Sequence, residues 1–372
     1  TKRGVRSRPQ FEYTVRVTSA REPDPIPMHD GAGYSRLIAD AHYNIDRNVF
    51  FDVNPDARQI AFDPEWEEYY NFSQNTNWIN EITRHAMSYE HNFSVRGGGE
   101  RARYNLSLGY SDEEGTVIGT QLQKINLRSS IDYDLSTKLQ FRSDIMYTRY
   151  DQDNNYDFED RDEFKDHKSL RTVAYRKMPN MSVYDRDTLN NHTGEFFTPY
   201  STLQGSAQDI YNPVAFARLG SQNRIKDNAR ALFNLRYSIT PELTYSSTVT
   251  LDIFNNKTSK FLPYKAIGYD MSSGASNRAT NEFSRKNSIY TVNQMVYRPD
   301  LGDIHEVLFM GQFDTERSNS KRYKTETSRS ASPYITEPIN DKRLQSLYAA
   351  PSEYLSAGVF LTSNYKYRDK YS

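Results

Sequence analysis

An acidic segment that begins at Asp151 has the ligand spacing of a calcium-binding loop. Oxygen-bearing side chains stand at alternate positions and again at the twelfth, and they are Asp151, Asp153, Asn155, Asp157 and Asp162. A cage of carboxylate and amide oxygens suits a hard cation such as Ca²⁺. Two positions depart from the EF-hand pattern, because Tyr156 stands in place of the turn glycine and Asp162 in place of the final glutamate. The alternative interpretation is a solvated acidic loop.

A glycine-rich segment, Gly97-Gly98-Gly99-Glu100-Arg101-Ala102, fits the G-x-G-x-x-[G/A] pattern of dinucleotide-binding turns. That motif needs a helix after the turn to hold phosphate, whereas the following residues alternate like a strand. We therefore predict a tight hairpin turn whose glycines are free to adopt positive φ.

Other catalytic patterns are missing from the sequence. The seven histidines form no HExxH motif or close ligand pair, and no G-x-S-x-G motif occurs. The chain has no cysteine, which excludes a disulfide framework, thiol catalysis and cysteine-based zinc sites. We predict no catalytic residue and no enzymatic activity.

The chemistry-bearing side chains are positioned by strands, because residues from His91 to Tyr150 alternate in character. Leu127 and Ile131, for example, are interleaved with Arg128 and Asp132. Successive side chains of a strand point to opposite faces, so each stretch has an apolar and a polar face. This pattern fits a sandwich strand, and equally a strand with lipid on one face and a water-filled lumen on the other.

Composition leaves a membrane location open. The 372 residues have a net charge of −1, which gives no reason to expect a nucleic-acid partner. The mean hydropathy is −0.85 and no run of 18 apolar residues occurs, so no transmembrane helix is predicted. Apolar and polar residues alternate in the strands of a β-barrel, so the hydropathy of such a strand averages out and does not reveal a membrane span. The 29 tyrosines suit strands and interfacial aromatic girdles.

Alternation predicts ten strands, some without sharp limits. They are Gln10–Ala20, Ser88–Gly97, Arg101–Asp112, one ending at Leu135, one ending near Tyr150, Ile225–Ile239, Leu243–Phe254, Ser288–Tyr297, His305–Arg317 and Tyr354–Tyr367. Between them we predict helical pieces at Tyr34–Asn44 and Asp162–Arg176, and polar loops at Asn255–Phe283 and Ser318–Glu353. The register of the eighth strand is not indicated.

The lengths of the connections alternate along the chain. Every even-numbered connection is a tight turn, whereas the long stretches fall only at odd-numbered connections. An antiparallel meander places odd and even connections at opposite ends of its sheet. Tight turns at one end and large loops at the other are typical of outer-membrane barrels, and a Greek-key sandwich has no reason to keep this order.

Several segments resemble one family, in the order in which that family has them. They are Asn77-Trp78-Ile79-Asn80-Glu81-Ile82, the strand into Arg96-Gly97-Gly98-Gly99-Glu100, Tyr104-Asn105-Leu106-Ser107-Leu108-Gly109-Tyr110, Glu114-Gly115-Thr116-Val117-Ile118-Gly119-Thr120, Asn212-Pro213-Val214-Ala215 and Tyr365 to Tyr371. Together they resemble the barrel of SusC/RagA-type TonB-dependent outer-membrane transporters. Thr1-Lys2-Arg3-Gly4 resembles the end of that family's plug domain.

The resemblance implies a fold and a set of partners. We expect an all-β, antiparallel, up-and-down transmembrane β-barrel with long extracellular loops that contain short helices. The implied partners are membrane lipid, a SusD-like surface lipoprotein, the TonB–ExbB–ExbD complex through a plug and TonB box, and a glycan or peptide substrate. The implied location is the outer membrane of a Gram-negative, Bacteroidota-type bacterium.

The chain is expected to be one partial barrel domain over residues 1–372. It would start just after the plug, with the plug and the C-terminal strands absent, because plugged transporters have about 22 strands. Two functional alternatives stay open. One is a secreted all-β carbohydrate-binding protein, and the other is a barrel that serves as a structural or secretion scaffold.

Two sets of side chains are candidates for contact with a substrate. Six polar residues would point into the lumen, where they would line the substrate path or contact the plug or water: Arg128, Asp132, Arg142, Asp144, Asn234 and Arg236. Tyrosines of the outer loops could stack on sugar rings or peptide side chains, or equally pack the loops together: Tyr156, Tyr184, Tyr200 and Tyr211. No cofactor is expected apart from the candidate Ca²⁺.

Overall fold

The protein is an open antiparallel sheet with a compact set of loops at one end. A computed structural model describes residues 7–46, 52–156, 170–199, 203, 211–274, 276–302, 304–338 and 344–367. Its strands are β1 (Ser7–Ala20), β2 (Ala86–Gly98), β3 (Ala102–Glu114), β4 (Gln121–Asp134), β5 (Leu139–Asn154), β6 (Tyr184–Arg186), β7 (His192–Phe196), β8 (Ser221–Ser238), β9 (Leu243–Leu262), β10 (Arg278–Tyr297), β11 (His305–Thr327) and β12 (Leu344–Tyr367).

Ten of these strands form one sheet in the order β1-β2-β3-β4-β5-β8-β9-β10-β11-β12, and β6 and β7 form a separate hairpin within a loop. Each strand of the large sheet pairs antiparallel with its neighbours along the chain. The predicted up-and-down arrangement of ten strands is confirmed. Within the described ranges β1 and β12 do not pair with each other, so the sheet is open.

The connections separate into two rims as predicted. Residues 99–101, 135–138, 239–242, 298–302 and 304 lie in turns at one rim, which we call the turn rim. The described residues within 21–85, 115–120, 155–220, 263–277 and 328–343 lie between strands at the other rim, which we call the loop rim.

The last four strands of the sheet are longer than the alternation predicts. They have 20, 20, 23 and 24 residues, about twice what a tilted strand needs to cross the hydrocarbon of a membrane. Much of the predicted loops Asn255–Phe283 and Ser318–Glu353 is therefore strand. The prediction was wrong because alternation is lost where both faces meet water, as at the consecutive polar residues Asn255, Asn256 and Lys257.

One side of the sheet is apolar and uncovered, and we call it the apolar face. Leu106 and Leu127 are exposed, and Phe141, Phe233 and Leu251 on the same side are not buried. No second layer of the described residues packs on this face. Along β9 its outward positions run from Leu243 to Ile253, which at ~3.4 Å per residue and a ~40° tilt span ~26 Å, close to the apolar band of a membrane barrel.

The register of β10 explains why its alternation is unclear. Ile289 and Met295 face the apolar side, but Asn293 lies between them on that side. The Asn293 side-chain oxygen accepts hydrogen bonds from the hydroxyls of Tyr245 and Ser247, each at 2.9 Å. The two neighbouring hydroxyls satisfy an amide oxygen that would otherwise be costly on an apolar face.

The glycine-rich segment is a hairpin turn, as predicted, but its glycines serve a different purpose. None of Gly97, Gly98 and Gly99 has a positive φ. A Cβ on Gly98 would instead lie 2.5 Å from the carbonyl oxygen of Ala102 and 2.8 Å from the Cα of Arg103. Close approach of the two strands therefore requires the glycine.

The hydrophobic core of the chain lies in the long loops rather than in the sheet. Helices α1 (Gly31–Asp46), α2 (Tyr69–Phe72), α3 (Trp78–Ile82), α4 (Leu170–Arg176), α5 (Pro213–Leu219) and α6 (Tyr264–Ile267) lie there, with a 3-10 helix at Pro55–Ile60. Trp78, Ile82, Met178, Val214 and Phe216 are among the buried residues that pack together. Among the described residues, no helix combines the length and apolar character that crossing a membrane requires.

Candidate functional site

The six predicted luminal residues share one side of the sheet, which we call the polar face. Asp132 on β4 lies opposite Arg142 on β5, and Arg142 lies opposite Asn234 on β8. Following the same register, Arg128, Asp132, Arg142, Asp144, Asn234 and Arg236 all lie on the side opposite to the apolar face. The structure thus brings the set together, and its contact with a substrate stays a prediction.

Charges near the middle of the polar face neutralise one another. Arg142 Nε lies 3.3 Å from a carboxylate oxygen of Asp132, and Arg230 Nε lies 2.6 Å from a carboxylate oxygen of Asp252. Each pair is partly exposed, so it stabilises the fold by only ~0–1 kcal/mol. The side-chain amide of Asn234 donates to the Thr248 hydroxyl at 2.8 Å. These pairs balance charge locally, whereas Arg128 Nε and Arg142 Nε have no hydrogen-bond partner among the described residues.

A second group of cations on the polar face was missed by sequence reasoning. It lies closer to the loop rim, and we call it the cationic zone: Lys124, Arg224, Lys226 and Lys286. None of the four pairs with a carboxylate of the described residues. Lys286 was missed because the end of β10 that contains it is polar and lies outside the predicted strand. The two-residue spacing of Arg224 and Lys226 was the available signal.

The loop tyrosines differ in burial. Tyr156 and Tyr211 are buried and pack on Phe216, with ring centroids 6.2 and 4.3 Å from that ring. Of the two interpretations given above, burial favours packing of the loops for this pair, because neither ring is open to a substrate in this arrangement. Tyr184 is half-buried against Phe196, with its ring centroid 5.1 Å away, and its role stays a prediction. Tyr200 lies outside the described residues.

Asn212 explains why the motif Asn212-Pro213-Val214-Ala215 matters to the loops. Its side-chain NH₂ donates to the carbonyl oxygens of Val183 and Phe197, at 2.8 and 2.9 Å. Its side-chain oxygen accepts from the backbone N–H groups of Val214 and Ala215, at 3.0 and 3.1 Å, and so caps α5. One fully buried side chain therefore joins three chain segments.

The acidic segment is only partly described. Asp151 and Asp153 lie in β5, and both of their carboxylates accept hydrogen bonds from the side-chain amide of Asn223, at 2.8 and 2.9 Å. Asn155 follows the strand, and Asp157 and Asp162 lie outside the described residues. No cluster of three metal-ligating side chains occurs in the described part of the chain. The calcium site stays a prediction.

A carboxylate and a lysine of the loops have strongly lowered pKa values. The Arg171 guanidinium donates to Glu22 at 2.6 and 2.9 Å, and with the Thr116 hydroxyl it lowers the pKa of Glu22 to about 2. Burial lowers the pKa of Lys177 to about 7. Neither group lies on the polar face, so both belong to the loop structure.

Comparison with known proteins identifies the class of fold. A chain of the RagAB peptide importer in its open-open state superposes with a TM-score of 0.71 at 15% identity, and the match covers 99% of this chain and 41% of that one. No family model matches the sequence. The sheet with its two unequal rims is therefore part of a TonB-dependent-receptor-type β-barrel.

Sequence relatives narrow the class further. TonB-dependent receptor P3 of Formosa agariphila is 22% identical over 311 residues, which cover 82% of this chain and 29% of the receptor. TonB-dependent receptor SusC of Bacteroides thetaiotaomicron is 44% identical over 43 residues, 12% of this chain and 4% of SusC. The resemblance to SusC/RagA-type receptors is confirmed, and the chain spans about three tenths of P3. These relatives are named as receptors rather than as enzymes.

Proposed function

We propose that this chain forms part of the barrel and the outer loops of a TonB-dependent importer in the outer membrane of a Gram-negative, Bacteroidota-type bacterium. The observation that carries the proposal is the uncovered apolar face. Exposed residues such as Leu106 and Leu127 stand opposite the charged residues of the polar face on the same strands. A secreted binding protein would have to expose this surface to water, whereas a membrane barrel turns it to lipid.

The imported substrates are oligosaccharides or peptides. The RagAB neighbour is a peptide importer by its name, and the SusC relative shares a 43-residue segment with this chain. In this proposal a SusD-like surface lipoprotein covers the loop rim. The TonB–ExbB–ExbD complex supplies energy through a plug and TonB box carried by other residues of the receptor. The chain itself performs no covalent chemistry.

Uptake by cells that lack the receptor tests this function. Deletion of its gene should abolish accumulation of labelled oligosaccharides or peptides that are too large for porins, and disruption of tonB should have the same effect. Uptake of a small sugar that passes through porins serves as the control and should not change. Recovery of the receptor in the culture medium, or uptake that is independent of TonB, would contradict the proposal.

A further inference from the structure

We propose that the cationic zone binds the acid groups of an anionic oligosaccharide, a substrate class that rests on the proposed import function. The zone occupies the polar face near the loop rim, where a molecule entering past the loops first meets the sheet. It consists of side chains from three strands, β4, β8 and β10. Its charge balance, its aromatic neighbours and two buried atoms without partners among the described residues support this assignment.

Cations of this region fall into a neutralised and an unneutralised group. Arg322 lies 2.8 Å from Glu282, and Arg278 lies 2.6 Å from Glu326, so carboxylates neutralise these two. Arg224, Lys226 and Lys286 have no carboxylate partner among the described residues. Like charges held on adjacent positions of a sheet repel one another, and they concentrate anions at the surface that they share.

Aromatic rings alternate with these cations along the sheet. Tyr150 lies directly between Lys124 on β4 and Lys226 on β8, with Lys124 Nζ 5.3 Å from its ring centroid. On β9, Phe254 is 38% exposed and lies directly opposite Lys286. A flat ring flanked by cations can stack on the apolar face of a sugar while the cations bind its carboxylate or sulfate group.

Two buried polar atoms, one in the zone and one on Asn256 beside it, lack hydrogen-bond partners within the described residues. Arg224 Nε is a donor without an acceptor, and Asn256 Oδ1 is an acceptor without a donor. Asn256 lies opposite Lys226, so both atoms border the same cations. An acidic sugar has a hydrogen-bonding partner for each atom. Its acid group accepts from the Arg224 guanidinium, and its hydroxyls donate to the amide oxygen of Asn256. A neutral sugar would leave the cations without counter-charge.

Calorimetry on the full-length receptor in detergent tests the assignment. The probes are oligogalacturonate, a sulfated oligosaccharide, neutral maltohexaose and hexaglutamate. We expect binding of at least one anionic saccharide, which weakens as salt rises from about 0.1 to 0.5 M. Replacing two charge-assisted contacts in the double variant Lys226→Gln/Lys286→Gln should weaken it by ~10-fold or more, whereas Lys226→Arg/Lys286→Arg should retain it.

A matched control lies on the other side of the same part of the sheet. Lys257 on β9 and Lys321 on β11 are exposed on the face of the apolar residues. The double variant Lys257→Gln/Lys321→Gln removes the same charge and should leave the affinity unchanged. Equal effects of the two double variants would overturn the proposal, because they would show a response to net charge alone.

Two further outcomes separate this inference from the import function. Equal binding of maltohexaose, or preference for hexaglutamate, would overturn the substrate class even if uptake by cells depends on TonB. The converse outcome is that the purified receptor binds the anionic saccharide selectively although deletion of its gene leaves uptake intact. That pair of results would refute the import function and support the site.

Discussion

Arg278 and Glu326 form a buried ion pair on the neighbouring strands β10 and β11, with Arg278 Nη2 2.6 Å from a carboxylate oxygen of Glu326. Their side chains are only 7% and 1% exposed. The pair lies at the loop-rim ends of the two strands, beyond the apolar band, where the loops cover the sheet. It links the two long strands beyond the part of the sheet that faces lipid.

Glu326→Gln should destabilise the loop rim by about 3–5 kcal/mol, because it leaves the buried Arg278 guanidinium without its counter-charge. Equilibrium unfolding of the purified receptor in detergent measures the loss. The matched control is Glu353→Gln, which removes the partner of Arg317 in an exposed pair at 2.9 Å. That substitution should cost no more than ~1 kcal/mol, and equal losses in the two variants would contradict the structure.

Asn212→Ala should loosen the long loops without affecting the sheet. It removes four hydrogen bonds, and the carbonyl oxygen of Phe197 loses its side-chain donor, whereas that of Val183 keeps the backbone N–H of Phe197 at 3.1 Å. We expect a loss of ~3 kcal/mol and faster cleavage of the loops by protease. Asn191→Ala in the exposed turn between β6 and β7 is the control and should change stability by less than ~0.5 kcal/mol. Indistinguishable cleavage of the two variants would refute the role of Asn212.

Lys177 should make the stability of the loops depend on pH. Its pKa in the folded protein is about 7, below the usual 10.5, so above pH 7 the folded protein releases a proton that the unfolded chain retains. Stability therefore rises with pH from 7 upward, by at most ~1.4 kcal/mol per pH unit, and does not change below 7 on account of this group.

Thermal melting between pH 5 and about pH 9.5 measures this dependence, and the upper limit avoids tyrosine ionisation. Lys177→Met should flatten the rise above pH 7 and raise the melting temperature at pH 7. A wild-type melting temperature that falls between pH 7 and 9.5, or a slope that Lys177→Met leaves unchanged, would show that the group is not buried as described.

Sequence periodicity predicts the sheet well where each strand has one wet and one apolar face. In β4 and β5 the alternation of Leu127 with Arg128, and of Phe141 with Arg142, places the four predicted luminal residues of these two strands on the polar face. The prediction fails in β9 to β12 beyond residues such as Ile253, because water on both faces removes the selection for alternation. Lys286 of the cationic zone was missed for this reason.

The loop core could not be predicted from local sequence. The Trp78 indole donates to the carbonyl oxygen of Met178, 100 residues further along the chain, and Asn212 joins two other segments. Such contacts connect short helices that have little periodicity of their own. The burial of Tyr156 and Tyr211 follows from these long-range contacts, and an exposed loop tyrosine and a buried one look alike in sequence.

The central claim is that lipid covers the apolar face, and two neighbouring positions of β9 test it. Leu251 lies on the apolar face and Thr250 on the polar face. The measurement is the fraction of receptor folded in the outer membrane for Leu251→Arg and Thr250→Arg. We expect Leu251→Arg to lose ~1–3 kcal/mol of folding free energy, because a guanidinium would face hydrocarbon between the midplane and the interface, and Thr250→Arg to assemble like the wild type. Equal assembly of the two variants, or a greater loss for Thr250→Arg, would contradict the account.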